Sequence, residues 1–362
     1  MKTRISIFWI LILIFLVGLL SCQKEINYYG LNYEELEELA NKDDAMAQYH
    51  LGVGYYSGGY GGVIDYEKAV AMFLKAADQG LADAQYELGI MLHEGDGFDQ
   101  NYEDAFMFFM LAAEQGYADA QYMLGLMYSK GQGVKPDNRE AAKWYKMAVN
   151  QGHAPAQYRL ADMYKKGDGV SKNYRKARTL YRKVADGGFA IAFFSLGEMY
   201  HHGEGVRKNN KKAIKMYLEA AAKGYADAQF QLGRIYHVGE GVKQDYQEAA
   251  KWYTMAAEQG HADAQYYLIQ MYSKGQGVIQ DYEEAYYWVL LAVVNADSEL
   301  QEELLELQDR LSSELSPDAT ARIQTEASKW VKDKAARKFA KLPVYQGIQT
   351  EASKWVKDKG LE

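Results

Sequence analysis

Apolar and polar positions along most of this chain follow the period of an α-helix, interrupted every few turns by glycine. The stretch from Asp119 to Tyr128 shows the pattern. With Ala120 at 0° on a wheel of 100° per residue, Leu124 falls at about 40°, Tyr128 at about 80° and Gly125 at about 140°, so these residues share one face. Lys130-Gly131-Gln132-Gly133-Val134 then ends the helix, because glycine just past a helix adopts the left-handed cap conformation without strain. A second amphipathic helix is predicted around Asn138 to Ala148, closing at Gly152. Pro155 stands where a first helical turn tolerates proline.

This helix–turn–helix unit recurs. Its anchor is Ala47-Gln48-Tyr49, Ala84-Gln85-Tyr86, Ala120-Gln121-Tyr122, Ala156-Gln157-Tyr158, Ala192-Phe193-Phe194, Ala228-Gln229-Phe230 and Ala264-Gln265-Tyr266, spaced by 37 and then by 36 residues. Such units cannot bury their apolar faces alone and stack on their neighbours. Leu51, Leu88, Leu160, Leu196, Leu232 and Leu268 match Leu124. Gly52, Gly89, Gly125, Gly197 and Gly233 keep a mid-helix glycine, at a cost of about 0.5–1 kcal/mol against alanine. Close approach of a neighbouring helix is the expected reason.

In its motif A-x-Y-x-L-G-x-x-Y-x-x-G-x-G-V, followed by D-Y-x-x-A-x-x-W-Y-x-x-A-A-x-Q-G-x-A-D-A-Q, the unit resembles the SEL-one-like repeat, a relative of the tetratricopeptide repeat. Tyr236 to Gln265 fits almost residue for residue. The resemblance implies an all-α protein: a right-handed α-solenoid of seven 36-residue helix-turn-helix repeats over 45–297, with C-terminal capping helices over 298–342. It also implies an adaptor or scaffold whose leading helices line a concave surface. A short acidic helix from Tyr33 to Asn41 is expected to cap the other end, within a lead segment 22–44. The tail 343–362 repeats an earlier stretch: IQTEASKWVKDK occurs at 323–334 and again at 348–359, which reads as a partial duplication.

Residues 1–21 carry a different signal. Lys2 and Arg4 precede an apolar run from Ile5 to Leu20, which is the build of a secretory signal and short of the ~20 residues that span a bilayer. Leu19-Leu20-Ser21-Cys22 resembles the lipobox of bacterial lipoproteins. That resemblance implies lipidation at Cys22 and a membrane-anchored protein of the bacterial envelope. Gln23 in place of aspartate favours the periplasm-facing outer membrane. Cys22 is the only cysteine, which excludes intrachain disulfides and multi-cysteine metal sites.

The net charge of −8 argues against nucleic acid as a general partner. The charge is unevenly distributed: residues 45–123 carry 12 acids and 2 bases, and residues 159–223 carry 6 acids and 15 bases. A basic patch is expected at Lys172, Arg175, Lys176, Arg182, Arg207, Lys208, Lys211 and Lys212. An acidic protein, an anionic glycan or a second copy of the chain would suit it. On the leading helices, offsets +3, +6 and +10 from the anchor alanine fall at about 300°, 240° and 280°, away from the core stripe. These offsets differ between repeats. Arg159, Asp162, Glu198, Gln231, Arg234, Tyr267 and Gln270 are therefore the expected partner-binding residues of the concave face.

Catalytic signatures are sparse. His93, His201 and His237 share one loop position with Asp96, Glu204 and Glu240 three residues on. Neighbouring loops are expected to lie roughly 10 Å apart, too far for shared ligands of one metal. The recurring G-x-G lacks the Lys-Ser/Thr and the strand of a phosphate loop. Some cysteine-rich relatives are β-lactamases, but their paired cysteines are missing here. No metal, cofactor or catalytic residue is expected. The sequence points to a non-catalytic protein-interaction scaffold. A glycan-binding or polysaccharide-export accessory lipoprotein is the alternative, and a β-lactamase-like hydrolase the weakest reading.

Overall fold

The computed structural model describes residues 26–59, 62–97, 99–295 and 298–340. The signal segment 1–21, Cys22 and the second copy of the duplicated stretch lie outside the described residues. The described residues form seventeen α-helices and one short 3-10 turn, with no strand among them. The fold is an α-solenoid of helix pairs.

The chain divides into two compact units, Met1–Ala120 with Gln132–Val134, and Gln121–Gly131 with Lys135–Glu362. The first unit opens with the capping helix Tyr33–Ala40, whose Asn32 and Glu35 form a reciprocal capping box. Its repeats pair Ala45–Ser57 with Tyr66–Asp78, and Ala82–Glu94 with Tyr102–Glu114. In the second unit the later repeats pair Ala154–Lys166 with Tyr174–Asp186, Ala190–His202 with Asn210–Ala222, Ala226–Val238 with Tyr246–Ala257, and Ala262–Lys274 with Tyr282–Asn295. Helices Ser298–Ser313 and Pro317–Ala340 follow. Leu304, Leu307, Leu311, Ile323, Ala327 and Val331 of these two helices join the core of the last repeat, so they cap it.

The packing rule is specific in the five repeats that keep the mid-helix glycine. Gly89 and Gly197 lie under the rings of Phe109 and Tyr217, and a methyl group on either glycine would meet ring carbons at 2.6 and 2.5 Å. The mid-helix glycine thus seats an aromatic ring of the trailing helix. That ring also pairs with the anchor aromatic: Phe194 and Tyr217 have centroids 5.8 Å apart, Phe230 and Tyr253 5.9 Å. These aromatic positions are core, as their helical spacing predicts. Each leading helix then stops at glycine; Gly203, at φ +74°, donates its N–H to the Met199 carbonyl.

Within each unit a buried amide fastens a repeat to the one before it. Gln229 Nε2 donates to the Ala221 carbonyl at 3.3 Å, and Gln85 Nε2 to Ala77 at 3.3 Å. The other end of each amide accepts from the last glutamine of its own repeat, Gln259 at 2.7 Å and Gln115 at 2.8 Å. The fourth repeat has Gly187 at that last position, and the fifth has Phe193 for the amide and Lys223 for its partner. There, Lys223 Nζ sits 5.9 Å from the Phe193 ring centroid instead.

Candidate functional site

Two surfaces of the second unit hold the residues expected to bind partners. On the leading-helix face, Arg159 is exposed, and the nearby Tyr122 hydroxyl favours its charged form. Arg234 is also exposed; it reaches the Gln231 side-chain oxygen at 3.5 Å and lies 6.0 Å from the Phe230 ring centroid. The Tyr267 ring stacks on Tyr253 at 4.9 Å. Gln270 is half-buried.

Asp162 and Glu198 have a further role that their variability concealed. The hydroxyl of Tyr181 donates to Asp162, and that of Tyr217 to Glu198. Burial, with the adjacent carboxylate, holds both tyrosine hydroxyls well above their ordinary range. Both acids therefore satisfy hydroxyls of fully buried core rings. A sequence signal existed: a buried tyrosine needs an acceptor, and each acid stands 19 residues before its tyrosine.

The basic residues lie on the trailing-helix side. All eight of the expected patch are exposed. Arg175 and Lys176 line a groove of about 510 Å³, and Arg182 and Lys212 another of about 310 Å³. Lys212 and Arg207 also line an adjoining hollow of about 380 Å³. Lys208 is drawn off into an ion pair with Glu240 at 3.0 Å. Lys172 Nζ sits 4.8 Å from the Tyr174 ring centroid. Lys211 is exposed on the helix Asn210–Ala222.

The histidines sit elsewhere than expected. His93, His201 and His237 occupy the last turns of their leading helices, not the loops. Side chains from successive repeats do meet there: His201 Nε2 lies 3.7 Å from Glu240, and Lys165 Nζ 3.0 Å from Glu204. The expected separation was one between loops, and the long side chains reach across it. Burial pushes His201 and His237 below the usual imidazole range. Among the described residues no three His, Cys, Asp or Glu side chains are placed to hold one metal ion.

The Sel1 repeat model matches seven consecutive segments, 45–81, 82–117, 118–153, 154–189, 191–225, 226–261 and 262–293. The chain belongs to the Sel1 repeat family. A Sel1 repeat protein from Oxalobacter formigenes is similar at 30% identity and TM-score 0.65, covering 75% of this chain and 78% of its own. A protein of uropathogenic Escherichia coli, c5321, described as a protective antigen with this repeat fold, is similar at 32% identity and TM-score 0.60. It covers 86% of this chain and 72% of its own. No curated protein matches the chain. Sel1 repeat proteins are in general non-enzymatic scaffolds for protein interaction.

Proposed function

We propose that this Sel1 repeat protein is a non-catalytic docking scaffold of the bacterial cell envelope. A lipid on Cys22 holds it at the membrane, and its leading helices recruit partner proteins. The observation that carries the reading is the division of labour inside each repeat. Anchor alanine, glycine, ring pair and amide build the stack. Arg159, Arg234, Tyr267 and Gln270 differ from their counterparts in the other repeats. In an α-solenoid of this type the leading helices form the concave side. A few such residues supply most of the energy of an interface.

The envelope location rests on residues 1–22: a charged start, an apolar run too short to span, and a cysteine in lipobox context. A diacylglycerol anchor with N-acylation gives stable attachment because more than one chain inserts. Among the described residues, no helix is long and apolar enough to cross a membrane. Metabolic labelling with radioactive palmitate tests the anchor: the parent chain incorporates label and Cys22→Ser does not.

Capture from detergent-solubilised envelopes tests the scaffold. The parent chain is expected to retain proteins that Arg159→Glu combined with Arg234→Glu releases. The basic segment favours a second reading, a glycan-binding or export accessory lipoprotein. Capture of glycan with no protein would establish it. Nitrocefin turnover by the purified chain, lost on changing a single residue, would overturn both.

A further inference from the structure

One trailing-helix position reads Met72, Phe108, Trp144, Leu180, Met216, Trp252 and Trp288 along the seven repeats. In the second unit its role is plain. Trp252 packs against the core formed by the preceding trailing helix, beside Ala213, Tyr217 and Leu232. Trp288 is buried in the core of the last repeat. Met216 stands at the equivalent place, against Ala177, Tyr181 and Leu196, and Leu180 stands against Ala141, Tyr145 and Leu160. Grooves open beside two of the occupants that are not indoles, about 510 Å³ beside Leu180 and about 310 Å³ beside Met216.

The groove beside Met216 runs between the trailing helices of the fourth and fifth repeats. Phe193, Leu196 and Tyr200 floor it, and Arg182 and Lys215 stand on opposite walls. The adjoining hollow shares Tyr200 and Lys212 with it and adds Arg178 and Arg207. Five cations thus face one carboxylate, Asp186. Among the described residues, Arg178, Arg182, Arg207 and Lys215 form no ion pair. Phe193 is available to the floor because it replaces the amide that fastens the other repeats. Met72 and Phe108, the other two occupants that are not indoles, lie in the acidic part of the chain. In the fourth and fifth repeats the vacancy coincides with positive charge.

We propose that this groove docks an acidic peptide segment bearing an aromatic side chain. The aromatic ring takes the space that Trp252 and Trp288 fill in their own repeats, and flanking carboxylates meet Arg178, Arg182, Arg207 and Lys215. Aromatic and arginine side chains dominate interface energies because they combine area with directed charge. A peptide suits the groove better than an anionic glycan. A sugar would need an open ring face to stack on, and Lys212 Nζ already lies over Tyr200 at 5.5 Å, as Lys176 Nζ lies over Tyr164 at 5.1 Å. The groove beside Leu180 offers a second anchor place one repeat away. The groove has trailing-helix walls and is floored by residues of the leading helix Ala190–His202 other than those at the Arg159 and Arg234 positions, so it adds to the scaffold reading and can fail independently of the face those positions form.

The test uses the full chain in detergent and a fluorescent peptide, Glu-Asp-Glu-Trp-Glu-Asp-Glu. Met216→Trp refills the groove while leaving every charge in place. It is expected to weaken binding at least 10-fold with an unchanged or higher melting temperature. The peptide with alanine for tryptophan is expected to bind at least 10-fold more weakly to the parent. Arg182→Glu with Lys215→Glu, both on the exposed surface, gives the same loss and keeps the test valid should the refilled variant misfold. Equal binding of the tryptophan and alanine peptides, or undiminished binding by a folded Met216→Trp, overturns the proposal. So does a polyuronate that binds the groove where the peptide does not, or self-association lost on refilling with no peptide binding. Envelope partners captured equally by parent and Met216→Trp would leave the scaffold standing and sink this groove.

Discussion

Gln259 donates to the side-chain oxygen of Gln229 at 2.7 Å, and that contact joins the two ends of one repeat. Gln229 is 2% exposed and passes the link on to the Ala221 carbonyl of the preceding repeat. Replacing Gln229 with leucine keeps the volume and strands both partners. An unsatisfied buried group costs about 1–3 kcal/mol. Urea unfolding of Gln229→Leu should show a loss of that size, with hydrogen exchange rising first at the junction of the fifth and sixth repeats.

Gly197→Ala should destabilise the protein although alanine is the better helix former. The added methyl meets the Tyr217 ring at 2.5 Å, and overpacking of a core costs about 1–3 kcal/mol. Coupling should be visible in a double-mutant cycle with Tyr217→Leu, which removes the ring. The pair should lose less than the sum of the singles. Strict additivity would mean that the ring does not explain the glycine.

The last repeat depends on helices beyond it. Leu304 is fully buried in the same core as Trp288 and Leu268. Leu304→Ala should cost about 2–5 kcal/mol, and hydrogen exchange should place the loosening in 262–340. A variant as stable as the parent would show that the seventh repeat closes without its cap.

Acid should weaken the fold through its histidines before its carboxylates are protonated. Burial lowers the affinity of His237 for a proton in the folded chain, and Lys274 adds to the effect. The unfolded chain therefore binds the proton more readily, so stability falls as pH drops through 6.5, the ordinary value, toward the lower folded value. His237→Phe should flatten the melting temperature between pH 7.5 and about 5.5 relative to the parent. An unchanged slope would assign the acid sensitivity to other groups.

The scaffold was legible in the sequence because stacking imposes the same constraint every 36 residues. Ala120, Leu124 and Gly125 announced their face by period alone, and helix Ser298–Ser313 fell where the repeat faded. Interactions whose partners lie in different helices left weaker traces. Asp162 looked like free surface until Tyr181 was seen to donate to it, and His201 was expected to miss the acid of the next repeat that it reaches. The grooves were hidden for another reason. A missing indole at Leu180 or Met216 looks like an ordinary apolar substitution until the structure shows the space it vacates.

The contacts between successive repeats bear on how such a chain lengthens. Lys165 meets Glu204 and His201 meets Glu240, each partner 39 residues on. Inserting or losing one whole 36-residue copy keeps every helix in register, so the backbone accepts duplication freely. The side chains do not. Loss of the fourth copy would set Ser129 opposite Glu204 and leave that carboxylate without its lysine. Each copy is thus addressed to a particular neighbour, and the order of the copies becomes an inherited property of the chain alongside their number.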